Sequence, residues 1–171
     1  MSDDSSAAIR ETRKDWVTEH RELYLQSGGA KGHVMDITAV GGRAFATHCM
    51  IKYVGRKSGK IFITPLCYVV VGGEVTICAS KGGADRHPEW YLNVIAQPEV
   101  EFQVGTEAWR GKWREPEGAE RTKAWDHLID CFPFYANYQI ATERVIPLVM
   151  MSAGEVIPVF KESDATGVRQ F

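Results

Sequence analysis

The spacing of apolar and polar positions divides the chain into stretches of different rhythm. Residues 1–8 are polar without a period, which predicts a disordered start. From Ile9 to Gln26 the composition is helical, and the glycines between Ser27 and His33 stop the helix. Trp16, Val17, Leu23 and Tyr24 give that helix a modest apolar stripe. Such a stripe suits packing on the body, resting on a membrane surface or covering a ligand. Beyond Ala44 the rhythm becomes that of strands. Phe45–Tyr53 and Ile61–Val71 are rich in β-branched and aromatic residues and flank a polar loop, residues 55–60. Gly72 and Gly73, between two valine-rich runs, predict a two-residue hairpin into a third strand that ends near Ser80.

The stretch His87–Gln97 reads as a short helix, with Pro88 suited to its first turn and Pro98 closing it. Glu99–Val104 and Thr106–Glu115 form a second hairpin about Gly105. In its second strand Trp109, Gly111 and Trp113 alternate with Arg110, Lys112 and Arg114, as a half-buried strand requires. Pro116 to Cys131 predicts another helix, with Trp125, Leu128, Ile129 and Phe132 at helical spacing. A turn at Pro133 follows, and two strands near Val145–Ser152 and Val156–Phe160 close the chain. Hairpin-joined strands with a few short helices predict a mainly β (α+β) fold, an antiparallel barrel with peripheral helices. The chain divides into a polar start (1–8), a helix and linker (9–42) and a barrel domain (43–171).

Composition narrows the function. A net charge of −2 argues against a dedicated nucleic-acid binder. The four cysteines, Cys49, Cys67, Cys78 and Cys131, lack zinc spacing, and three lie in apolar runs. Buried, reduced thiols and a cytoplasmic location are expected. The longest apolar run, Leu66–Val71, is far short of the roughly 20 residues of a membrane helix. The acidic, polar N-terminus does not read as a secretory signal.

Three segments carry candidate chemistry. Arg56-Lys57-Ser58-Gly59-Lys60 concentrates three cations and a hydroxyl in a strand-to-strand loop, which fits either an anion contact or a solvated hairpin tip. Ser80-Lys81-Gly82-Gly83-Ala84-Asp85-Arg86-His87 runs through two glycines toward a helix, a second possible anion cradle or an ordinary glycine loop. Phe132 to Gln139 is dense in aromatics and suits a wall over a flat ring, or core packing. No histidine shows ligand spacing, so no metal is expected. Together, two cationic loops and an aromatic segment suggest a phosphorylated, ring-containing ligand.

The same blocks, in order, resemble the deazaflavin-dependent nitroreductase family. They are Arg56–Lys60, Thr64-Pro65-Leu66, Ala79–Ala84, His87–Asn93, Pro98-Glu99-Val100, Tyr135–Gln139 and Arg144–Val149, within residues 45–152. The resemblance implies a split β-barrel of the FMN-binding type that carries coenzyme F420. It implies that Lys57, Ser58, Lys60 and Lys81, with Arg56, hold the phosphate and anionic tail, near Gly59, Gly82 and Gly83. It places Thr64, Pro65, Ala79, Ser80, Trp90 and Asn93 about the cofactor. Tyr68, Phe132, Tyr135 and Tyr138 are then expected on the substrate side, where family members often carry a tyrosine in place of Phe132.

The expected activity is hydride transfer from the reduced deazaflavin to a quinone, nitro compound or activated double bond. The cofactor brings the hydride and the protein supplies position and field. Tyr135, Tyr138 and Ser80 are the candidate donors to the anion that forms. FMN is the alternative cofactor, and a non-catalytic deazaflavin carrier the alternative class. A small-molecule substrate, no nucleic acid, a monomer or homodimer, and peripheral contact of the N-terminal helix with the inner face of the plasma membrane complete the expectations.

Overall fold

The computed structural model describes residues 16–38 and 42–167. The expected disordered start, and the N-terminal helix before Trp16, lie outside the described residues. Helix α1 occupies residues 16–26. The strands are β1 (Val34–Met35), β2 (Ala46–Val54), β3 (Ile61–Val71), β4 (Glu74–Cys78), β5 (Val100–Val104), β6 (Glu107–Arg114) and β7 (Leu148–Ile157). Helices α2 (Glu89–Ile95), α3 (Gly118–Cys131) and α4 (Phe134–Ile140) interrupt them. All pairings are antiparallel, in the order β1-β2-β3-β4-β7-β6-β5, and a further β2–β5 ladder closes the barrel. The fold is an antiparallel β-barrel with peripheral helices, as the strand pattern predicts, and of the split type that the resemblance implies.

Alternation along the strands builds the interior. Cys49, Ile51 and Tyr53 of β2 meet Phe102 of β5, Ile77 of β4, and Val149 and Met151 of β7 in one cluster. On β3, Phe62, Leu66 and Tyr68 share that interior, whereas Ile63 packs with α1 and Phe160, and Cys67 and Val69 pack toward α3 and α4. Each fully buried large side chain contributes about 1.5–3 kcal/mol, so the barrel is a rigid base for what lies on it. Tyr24 pins α1 to this base. It is fully buried, and its hydroxyl accepts from Gly105 N–H at 2.7 Å.

Beyond shifts of one to three residues at several ends, and the additional β1 and α4, two boundaries differ from the sequence expectation for a physical reason. Pro88 precedes α2 as its cap rather than entering the first turn. The two closing strands are one, because β7 continues past Ser152 while its register with β6 shifts between Arg110 and Lys112. Backbones approach closely at this bulge. A Cβ at Gly111 would lie 1.8 Å from the Ser152 carbonyl oxygen, so only glycine fits.

The β3–β4 ladder runs from Val71↔Glu74 to Tyr68↔Ile77 and goes no further. Beyond that point β3 stays with β2, through Cys67, Pro65 and Thr64, while β4 stays with β7. The sheet therefore forks between Cys67 and Cys78. Pro65, which lacks an N–H to give, sits in β3 where β4 is no longer its partner.

Candidate active site

A cleft of about 310 Å³ fills the fork. Its floor is Thr64 to Cys67 on one side and Cys78, Ser80, Lys81 and Gly82 on the other. Pro88 and Trp90 close one end, and Phe134, Tyr135 and Tyr138 of α4 form the aromatic wall. Tyr135 and Tyr138 share a helix face, three residues apart, with ring centroids 5.9 Å apart and nearly perpendicular. Burial pushes the Tyr135 phenol well above its ordinary pKa, with the Cys67 and Cys78 thiols adding to the shift. It therefore stays a neutral hydrogen-bond donor. Helix α1 contributes Trp16, Val17 and His20 to the same space, so its apolar side packs on the body and covers the cleft at once.

The segment after β4 is held in an unusual backbone. Lys81 has φ +48°, followed by Gly82 at +64° and Gly83 at +83°. A non-glycine residue in this region is uncommon and persists where surrounding contacts over-determine it. Gly83 is obligatory, since a Cβ there would lie 2.7 Å from the Tyr138 carbonyl oxygen of α4. The main clamp is Arg144. Its guanidinium donates to the carbonyls of Ser80 (2.6 Å), Ala84 (2.6 Å) and Ala79 (3.2 Å), and lies 3.0 Å from His87 Nδ1. Gln139 of α4 holds the segment that carries Arg144, donating to Arg144 O at 2.8 Å and accepting from Ile146 N–H at 3.0 Å. Thr142 adds a bond to Asp85 at 3.0 Å.

The first cationic loop is shaped from beneath. Gly55 N–H donates to Lys60 O, and Gly59, at φ +69°, donates back to Gly55 O, both at 2.8 Å. Lys60 N–H donates to Ser58 Oγ at 3.2 Å. Buried Asn93 accepts from both Arg56 N–H and its guanidinium at 3.0 Å, and Glu89 pairs with the same guanidinium at 2.8 Å. Arg56 is thereby an anchor of the loop. By contrast, Lys57, Lys60 and Lys81 make no ion pair within 4.0 Å among the described residues. The Glu89 carboxyl is held below its usual range by the Arg56 hydrogen bond first, and also by the charges of Arg56, Lys57 and Lys81. Both cationic loops thus converge about the start of α2.

The cleft brings together Thr64, Pro65, Ser80, Lys81, Gly82 and Trp90, with Tyr135 and Tyr138 opposite. Lys57, Ser58, Gly59 and Lys60 stand on the exposed loop outside the lining, and Ala79, Gly83 and Asn93 are buried supports. Two expected substrate residues do not line the cleft. Phe132 is 2% exposed and packs edge-on behind Tyr135, at 6.1 Å. Tyr68 turns into the barrel, where its ring stacks on His33 and its hydroxyl meets His33 Nε2. Sequence reasoning gave no role to Arg144, Gln139, His48 or the cleft-facing thiols. An arginine between an aromatic helix and a β-branched run was the available signal for Arg144.

Comparison with known proteins decides the family. Residues 16–153 match the model of the F420H(2)-dependent quinone reductase family. The chain belongs to this family. An F420H(2)-dependent quinone reductase of Mycobacterium tuberculosis (strain ATCC 25618 / H37Rv) is 33% identical over 136 residues, 78% of this chain and 87% of that protein. Among solved structures, an F420-H2 dependent reductase (FDR-A) is 39% identical with a TM-score of 0.56, over 61% of this chain and 93% of the other. A second, described as a domain-swapped dimer, is 37% identical with a TM-score of 0.59, over 82% and 99%.

The protein is thus an oxidoreductase of the F420H(2)-dependent quinone reductases, with F420 rather than FMN as the cofactor of the family. The residues present fit that cofactor. An apolar, aromatic-walled slot suits its ring, and lysines that meet no carboxylate among the described residues suit a phosphodiester and a carboxylate tail. Among the described residues no helix is long and apolar enough to cross a membrane, and no group of His, Cys, Asp or Glu could hold a metal.

Proposed function

We propose that this chain reduces a quinone bound against Tyr135 and Tyr138, with F420H2 lying across the fork. The observation that carries this reading is the convergence, at one rim of an aromatic-walled cleft, of lysines from two loops that form no ion pair among the described residues. Lys57, Lys60 and Lys81 would hold the phosphate and tail, while Ser58, Gly59, Gly82 and the Arg56–Asn93 anchor shape the loops that carry them. Thr64, Pro65, Ser80 and Trp90 would border the ring. When bound, the reduced cofactor supplies a hydride.

The protein then manages the negative charge gained by the acceptor. Tyr135, kept neutral by burial, and Tyr138 stand where a donor toward a quinone oxygen is wanted, with Ser80 across the cleft. Trp16 and Val17 of α1 limit access of water. Nitro compounds and activated double bonds suit the same geometry, since they also accept a hydride and leave an anion.

The deciding experiment is anaerobic oxidation of reduced F420 by the purified chain, with menadione, a nitroaromatic and an enone as acceptors. Quinone-dependent oxidation that saturates with both substrates is expected. Tight F420 binding without turnover on any acceptor would make the chain a carrier and overturn the reading.

The relative described as a domain-swapped dimer supports a homodimer, and light scattering on a sizing column distinguishes it from a monomer. Contact of α1 with a membrane is a further part of the reading. Tyr24 and Leu25 are committed to the barrel, so within the described part of α1 the contact would rest on Leu23. Failure to float with anionic vesicles would remove that part.

A further inference from the structure

The cleft holds a set of side chains that the hydride transfer does not use. Cys67 and Cys78 are the residues next to the last β3–β4 pair, one on each side of the fork, and both line the cleft. Cys67 is half-buried, whereas Cys78 is 5% exposed. His48 lies directly across the β2–β3 ladder from Cys67, with its Nε2 3.4 Å from the Cys67 sulfur. Its other nitrogen, Nδ1, is 3.1 Å from the Ala46 carbonyl oxygen, which can only accept. The proton therefore sits on Nδ1, and Nε2 presents a lone pair to the thiol. Burial holds His48 neutral, with a pKa lowered to about 3, so Nε2 accepts the thiol's hydrogen bond but is too weak a base to draw the proton off the resting thiol. The thiol is therefore positioned against a proton acceptor rather than ionised by it, and its seat in the cleft is what places it for reaction.

We propose that Cys67 is a covalent quinone-adduct site: a 1,4-quinone in the cleft with an open ring carbon is captured by the Cys67 thiol. This rests on the quinone reading of the cleft. The sulfur lone pair forms an S–C bond to the open ring carbon, the C=C π pair shifts toward the carbonyl conjugated with that carbon across the double bond, and the π pair of that carbonyl becomes a lone pair on its oxygen. The S–H proton, made strongly acidic as the S–C bond forms, then passes to His48 Nε2 and on to this oxygen. The hydrogen left on the attacked carbon shifts to the second oxygen. The product is a hydroquinone thioether, in which the quinone has gained the two electrons, and no other oxidant or reductant takes part. A quinone whose ring carbons all carry substituents cannot rearomatise this way, so only hydride reduction is open to it. The thiol thereby divides quinones into substrates that turn over and substrates that also block the cleft.

The other thiols supply the internal controls. Cys49 is fully buried in the barrel, and burial pushes both its thiol and that of Cys78 well above the ordinary range. Cys131, half-buried at the end of α3, does not line the cleft.

The test incubates the full chain, without F420, with menadione, which has one open quinone-ring carbon, and with 2,3-dimethyl-1,4-naphthoquinone, which has none. Intact mass and peptide mapping follow the adduct. One menadione on Cys67 is expected, with a rate that saturates in menadione, and none from the dimethyl quinone. The adduct is lost in Cys67→Ala and kept in Cys131→Ala. In His48→Gln, with folding checked by melting temperature, labelling slows by about tenfold, below the roughly 10²–10⁴-fold of a proton acceptor whose pKa matches the assay pH, because His48 is a weak base. If His48→Gln does not fold, saturation and the Cys67-to-Cys131 labelling ratio decide. Labelling of Cys131 as fast as Cys67, or a rate that stays linear in menadione, overturns the proposal. If Cys67 is labelled with saturation but no quinone is ever reduced, the adduct site stands and the quinone reductase reading falls. If quinones are reduced and Cys67 is untouched, the reverse holds.

Discussion

Removing the Arg144 guanidinium should cost cofactor affinity far more than it costs the barrel. Its three carbonyl partners, Ala79, Ser80 and Ala84, bracket the segment in which Lys81, Gly82 and Gly83 take positive φ. Without the clamp that segment has less to hold it in a sparsely populated backbone, and ordering it falls to the cofactor. Hydrogen bonds from charged groups contribute about 1.5–3 kcal/mol each. Because Arg144 is partly exposed, only its two 2.6 Å bonds are counted, at the low end, giving about 3 kcal/mol. At 1.4 kcal/mol per tenfold this is about a hundredfold in Kd. Arg144→Met should therefore raise the F420 Kd by about that factor, read by fluorescence titration. Arg144→Lys, one ammonium replacing a planar fork, should recover only part of the loss. Melting temperature separates local from global effects. An Arg144→Met protein that binds F420 within about threefold of the parent would refute the clamp, whatever its stability. Equal loss of kcat with an unchanged KM would place Arg144 in the chemistry instead.

Four further outcomes are expected. Lys57→Ala and Lys60→Ala should each weaken F420 binding by about 1–3 kcal/mol if the contact is charge-assisted, and added salt should shrink the difference; unchanged titrations would move the tail elsewhere. Tyr135→Phe and Tyr138→Phe should lower kcat and kcat/KM together while leaving F420 affinity nearly unchanged; a loss below about tenfold would indicate packing rather than proton donation. His48 is depressed to about 3 in the fold from an ordinary 6.5, so the unfolded chain binds the extra proton between those values and stability falls as pH drops through that window. The slope approaches about 1.4 kcal/mol per pH unit, and melting curves of His48→Gln should be flatter there. Thiol titration of freshly prepared protein should find four free cysteines after denaturation, and only Cys67 and Cys131 reacting readily when folded.

The sequence by itself determined what is local. Period-two alternation and the Gly72-Gly73 turn set β3 and β4, because the type I′ form of a two-residue hairpin needs positive φ at both positions and both glycines have it. The cations of residues 56–60, the glycines after Ser80 and the aromatics of α4 were legible as chemistry, since residue type alone carries charge, backbone freedom and ring area.

Tertiary structure decided which of those groups meet. Strand alternation names two faces but not which one covers the other, and on β3 the run Phe62–Pro65 is buried on both faces, so no polar side marks the inside. That is why Tyr68 could turn into the barrel, away from the cleft. Helical spacing likewise put Phe132 near Tyr135 without saying that the second ring stands in front of the first. The fork beyond Tyr68↔Ile77, the return of α1 over it and the reach of Arg144 to carbonyls some 60 residues earlier depend on contacts between distant segments. Such contacts form only after loop closure has been paid for, and no local pattern in the chain encodes them.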